Sequence, residues 1–223
     1  MLAGCSRDAT PPGAGSPTTG TAAVATDTTA AAATTAAGPT TGPQRPAPLH
    51  YRFPVAGCRV DYGRSHHDYP ATDIFTARGC AFVAPVDGRV DEVTTADRWS
   101  AASDRGVDRG GRSVSIVGAD GVRYYGSHLE AVAAGIAPGT RVQAGRLLGR
   151  VGNSGSARVT AVHLHFGISW PTRPGVWWVR RGVVDPWRYL DSWRAGGDLS
   201  PARAVRAAKA AAGREVPPCQ AFC

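Results

Sequence analysis

The chain has 223 residues and a formal net charge of +8, and Lys209 is its only lysine, so arginine carries the positive balance. That length suits one ordinary domain with tails, and no run of 18 apolar residues offers a membrane-spanning helix. The arginines are spread along the chain rather than clustered with aromatic residues, which argues against a nucleic-acid reader and leaves anionic polymers or lipids as charge-compatible partners.

Leu2-Ala3-Gly4-Cys5 resembles a bacterial lipobox, although no charged and apolar leader precedes it in the sequence. A diacylglycerol on Cys5 would anchor the chain to a membrane by two acyl chains. The following segment is Thr, Ala, Pro and Gly with almost no large apolar side chain, so residues 1–48 are expected to be a lipobox-like start and a disordered linker. All six tryptophans come later, which places the folded domain at 49–193.

Within that domain short apolar runs alternate with Gly, Pro and Asp punctuation. Ala81–Pro85 leads through a turn at Val86–Gly88 into Arg89–Val93. Ser113–Val117 turns at Ala119–Gly121 and returns as Val122–Tyr125, a hairpin pattern. Ala96–Gly111 is polar and reads as a loop. The pattern predicts a mostly β, antiparallel domain. In 194–223, Ser200 as N-cap, Pro201 at the first helical position and Gly213 as stop predict one short C-terminal helix before a Cys-containing tail. "APVDGRV" with "VQAGRLLGRVG" also suits the hammerhead sheets of biotinyl and lipoyl carriers. Those carry the cofactor on a lysine in a hairpin turn, and Lys209 lies outside the β region.

Every histidine except His50 falls in one of three short segments: His66 and His67 with Asp68 and Asp73, then His128, then His163 and His165. In "VHLHFGI" the residues alternate, so His163, His165 and Gly167 share one strand face while Val162, Leu164, Phe166 and Ile168 fill the other. Paired imidazoles on one face need partners. They could be plain surface histidines, or a metal ion could supply the partner. A catalytic zinc site takes about three His or carboxylate ligands and leaves a position for water.

Taken in order, "HDYPATDIF", "RGCAFVAPVDGRV", "YYGSHLEAV", "GTRVQAGRLLGRVGNSG" and "VHLHFGI" resemble the lysostaphin-type (LytM-like) zinc metallopeptidases, peptidoglycan endopeptidases of the bacterial envelope, over Arg59 to Trp170. The resemblance implies an antiparallel, hammerhead-like barrel-sandwich domain and Zn2+ held by His67, Asp73 and His165. It also implies His128 and His163 as catalytic non-ligands, in roles left open between them. The implied partner is peptidoglycan, with no nucleic acid, for a monomeric chain acting outside the cytoplasmic membrane, lipid-anchored or secreted. The alternative is a catalytically inactive envelope protein of this fold that binds wall or activates a partner hydrolase; all five positions are kept, which favours the enzyme.

Two departures from the family pattern stand out. Five residues, rather than the usual three, separate His67 from Asp73, and Gly126 stands where an aromatic residue often precedes the catalytic histidine by two. In an extended segment residues an even number apart share a face. That parity selects His67, six before Asp73, and leaves His66 as a neighbour. With Cys5 assigned to lipid, the expected disulfides are Cys58–Cys80, bracketing the first ligand segment, and Cys219–Cys223. "SWPTRPGVWWVRRG" and the Ala96–Gly111 loop are expected to wall a substrate groove, with Trp177 and Trp178 assigned to the core.

Overall fold

A computed structural model describes residues 48–223; the expected lipobox at Cys5 and nearly all of the expected linker lie outside the described residues. The architecture is mostly β, a curled antiparallel half-barrel with three helices. Ten strands follow in chain order: β1 (Val55–Ala56), β2 (Asp61–Tyr62), β3 (Thr72–Phe75), β4 (Ala81–Val83), β5 (Gly88–Thr94), β6 (Arg112–Gly118), β7 (Arg123–Val132), β8 (Arg141–Val142), β9 (Leu147–Val151) and β10 (His163–Ser169). The path β1-β4-β9-β7-β10-β3-β2 runs across the sheet, while β6 joins β7 to β5 and β5 pairs with β8.

Strand β7 is the hub. In sequence it was legible as the return strand Val122–Tyr125 with His128 at its end, and it continues to Val132. Its first half, Arg123–Ser127, pairs with β10, and its second half, from Leu129, pairs with β9. His128 stands at the changeover with φ 63, a left-handed conformation that non-glycine residues seldom adopt. Two backbone hydrogen bonds hold the kink, one from His128 N–H to Gly110 O at 2.9 Å and one from Gly152 N–H to His128 O at 3.0 Å. A strand that changes partners in mid-course lets the sheet curl.

The predicted alternation places Leu164, Phe166 and Ile168, all fully buried, on the core side of β10. They meet Phe82, Ile116, Tyr124, Leu129 and Leu148. Gly126 has a packing reason: a Cβ there would lie 2.4 Å from the Phe82 ring, so the phenyl group occupies the space an aromatic at 126 would need. Two helices arise where the sequence showed no clear period, α1 (Trp177–Arg180) and α2 (Trp187–Arg194). Trp193 of α2 stacks on Tyr51 with ring centroids 5.2 Å apart and closes the open side of the core. The C-terminal helix α3 (Ala202–Ala212) starts one residue later than its capping residues implied, stops at Gly213, and buries Val205 against the same core. No helix among the described residues is long and apolar enough to cross a membrane.

The structure pairs Cys58 with Cys80 and Cys219 with Cys223. The first bond ties the segment before β2 to the start of β4, so it brackets β3 and the histidine-bearing loop ahead of it. Closing a 22-residue separation contributes about 3 kcal/mol on the chain-entropy model. The Cys58→Ala/Cys80→Ala variant should lose about that much stability in urea titrations monitored by tryptophan fluorescence; an unchanged midpoint would show that the bracket does not constrain the unfolded chain.

Candidate metal centre and catalytic cleft

Strand register builds the centre. Asp73 lies directly opposite His165 across the β3–β10 pair, and Phe75 lies opposite His163. Directly paired residues share a face, so the carboxylate and both imidazoles project to the side of β10 away from the core. On the other flank His165 is opposite Ser127, which brings the kinked residue His128 alongside. The His128 and His163 rings are 4.8 Å apart.

Each of these imidazoles has one nitrogen on a carbonyl. His165 Nε2 donates to Arg181 O at 2.9 Å, His163 Nδ1 to Ala161 O at 2.8 Å and His128 Nδ1 to Ser154 O at 2.8 Å. A carbonyl only accepts, so in the neutral ring the other nitrogen is bare. The bare Nδ1 of His165 is 2.9 Å from Asp73 Oδ1, and the bare Nε2 of His163 is 3.8 Å from the same oxygen. Lone pairs on nitrogen and carboxylate oxygen at 2.9 Å need a proton or a cation between them. Burial raises the Asp73 carboxyl, but the facing imidazoles of His165, His163 and His66 outweigh it and hold the group well below the usual carboxylate range.

The third member is His66. Its side chain is 4% exposed, and Nε2 lies 3.8 Å from Asp73 Oδ2. One donor atom each from His66, Asp73 and His165 lie within 4.8 Å of one another. The His66 Nδ1 atom is buried with no hydrogen-bond partner. Burial, then the neighbouring His165, pushes the His66 pKa down to about 4, so the ring is neutral near pH 7. Two imidazoles and an ionised carboxylate suit a borderline-soft divalent ion such as zinc.

The structure does not bring His67 to this group. Its side chain is 67% exposed and pairs with Asp68. The parity argument required an extended segment, whereas residues 67–70 bend and β3 starts only at Thr72. The bend turns His66 inward, beneath the Tyr69 ring, with centroids 4.5 Å apart. Asp73, His128, His163 and His165 line one cavity of about 410 Å³, and His66, His67, Tyr69, Phe75, Arg109, Trp177 and Arg181 also border it. Burial, then His163 and His165, pushes the His128 pKa down to about 3.

The sequence pattern did not expose the contribution of α1 and the turn after it. Gly167 belongs to the histidine face, and a Cβ there would sit 2.2 Å from Arg181 O, the oxygen that holds His165 Nε2. Gly182 likewise leaves room for Pro70 O, 2.1 Å from where its Cβ would be, and so seats the His66 loop against the same turn. Trp177 borders the cavity rather than the core, while Trp178 packs on the core and donates Nε1 to Pro217 O at 2.7 Å. In the Ala96–Gly111 loop only the end reaches the cavity, through Gly106, Val107, Arg109 and Gly110.

Residues 67–176 match the model of peptidase family M23. The match includes His67 and begins one position after His66, whereas the grouping with Asp73 and His165 is made by His66. No curated protein matches the chain. Among solved structures, the lytM protein of Ruminococcus gnavus superposes with a TM-score of 0.50 at 23% identity, over 66% of this chain and 62% of its own. The catalytic domain of the antimicrobial peptidase lysostaphin from Staphylococcus simulans gives 0.46 at 23% identity, over 60% of this chain and 93% of that one. The longer lysostaphin chain gives 0.49 at 23% identity, over 70% and 59%. At 23% identity the likeness to the Ruminococcus protein is one of fold, and this chain spans less than two thirds of that protein's length.

Metal analysis separates the ligand sets. His66→Ala, Asp73→Ala and His165→Ala should each be isolated without stoichiometric zinc, while His67→Ala should retain it; the reverse result for the two adjacent histidines would restore the parity assignment. Gly167→Ala should weaken zinc binding roughly 10–100-fold in a chelator competition, because the added methyl displaces the Arg181 carbonyl from His165.

Proposed function

We propose that the chain, whose residues 67–176 match the model of peptidase family M23, is a zinc-dependent endopeptidase of the LytM type that hydrolyses peptide bonds of bacterial cell-wall peptidoglycan. The observation that carries the reading is the bare Nδ1 of His165 facing the Asp73 carboxylate at 2.9 Å beside His66, whose Nδ1 is buried with no hydrogen-bond partner. In this reading His66, Asp73 and His165 hold the ion, with His66 in place of His67. Bound zinc polarises a scissile carbonyl and lowers the pKa of water.

The remaining chemistry belongs to His128 and His163. Each has Nδ1 fixed on a backbone carbonyl and Nε2 free, so each can accept a proton at Nε2 without turning its ring. One takes the proton of the attacking water, and an imidazolium then gives a proton to the departing amine and steadies the oxyanion. Rings held in this way are pre-organised, which spares reorientation during the reaction. The bend at His128 supports the same reading, since left-handed non-glycine residues persist where surrounding structure over-determines them and often mark working sites.

Two disulfides fit an oxidising compartment, in keeping with a wall substrate outside the cytoplasmic membrane. Lipid on Cys5, the 1–48 tether, the 49–193 and 194–223 division and a monomeric state complete the proposal. A wall-binding, non-catalytic protein is disfavoured because both proton-transfer imidazoles are present and pre-oriented.

The purified protein should hold about one zinc ion and release soluble peptides from isolated peptidoglycan. A chelator should abolish release and zinc should restore it. His128→Ala and His163→Ala should keep the metal and lose roughly 10²–10⁴-fold in rate. Zinc-loaded protein that binds wall yet frees no peptide, as judged by mass spectrometry of the supernatant, would favour the non-catalytic alternative.

A further inference from the structure

The segment Pro217–Cys223 lies beyond the M23 match yet docks on the residues that frame the cavity. Trp178 Nε1 donates to Pro217 O and Arg181 Nη2 donates to Ala221 O, both at 2.7 Å. The Arg109 guanidinium sits 3.7 Å over the Phe222 ring. Gly106 admits the tail backbone, because a Cβ there would fall 1.5 Å from Phe222 O. These four contacts come from the 3-10 turn Gly106–Asp108 and the residue after it, from α1 and from the turn that follows α1. The Cys219–Cys223 bond closes the loop on itself, and within it Phe222 adopts φ 51.

Phe222 lines the same cavity as His66, Asp73, His128, His163 and His165. Its side chain neither joins the core nor fills the cavity: the residue is 38% exposed, and about 410 Å³ stays open beside it. A large apolar ring held at the border of a polar cavity, by a disulfide-closed loop with a left-handed backbone, is arranged to touch something that enters. Loosely held tails do not keep such a residue in place.

We infer that the Cys219–Cys223 loop is a wall of the substrate cleft and that Phe222 contacts the bound peptide near the metal centre. This rests on the peptidase reading and adds a substrate-contact residue to it. The Arg181 link gives the wall a direct connection to the centre, since the same residue anchors the tail by its side chain and His165 by its carbonyl.

Two measurements on the full chain test the wall: steady-state hydrolysis of a soluble peptidoglycan-derived peptide, and equilibrium binding of that peptide to the zinc-loaded His163→Gln protein. Phe222→Ala should raise KM, and weaken binding in the His163→Gln background, by roughly three- to tenfold, with kcat and zinc content unchanged. Cys219→Ser/Cys223→Ser should move KM in the same direction while leaving Cys58–Cys80 intact. Unchanged KM and binding in Phe222→Ala would overturn the wall, and a raised kcat/KM would overturn it in favour of an obstructing tail. A parent protein that binds the peptide without cleaving it refutes the peptidase reading, while its binding arm still judges Phe222; a parent that does not bind it at all refutes the wall as well.

Discussion

The hydrogen bond from His165 Nε2 to the carbonyl of Arg181 fixes which nitrogen of the central imidazole stays bare. Without it the ring could present either tautomer, and the facing of Nδ1 and Asp73 would have no unique meaning. The bond needs Arg181 O close to β10, and Gly167 makes that approach sterically open. It also needs the turn after α1 to be held, and Gly182 achieves this by seating against Pro70 O, next to the His66 loop. One carbonyl thus couples β10, α1 and the loop that delivers the third donor.

The same device recurs twice around it. Ala161 O and Ser154 O take one proton each from His163 and His128. Ser154 is itself anchored, because its hydroxyl accepts from Arg112 N at 2.9 Å at the start of β6. Backbone carbonyls orient imidazoles more rigidly than side-chain partners could, since they have no rotamers of their own. All three rings are nearly fully buried, and for His128 that burial, then His163 and His165, pushes the pKa down.

The tail extends this economy of contacts. Arg181 serves the centre through its main chain and the Cys219–Cys223 loop through its guanidinium, which also lies 4.0 Å over Tyr69. A disturbance at the loop therefore has a physical route to the His66 segment through packed groups rather than through distance alone.

The amino-acid sequence by itself determined the β alternation that separates Leu164, Phe166 and Ile168 from His163 and His165. It also determined the hairpin around Asp120-Gly121. These follow from period and turn chemistry, which are local properties of the chain. The choice of His66 over His67 beside Asp73, the partner change of β7 at His128, the two helices α1 and α2 and the Arg181 contact were decided only by tertiary structure. Parity rules hold while a segment is extended. Residues 67–70 bend, Tyr69 lies over His66, and Pro70 O packs against Gly182, a constraint that comes from outside the loop.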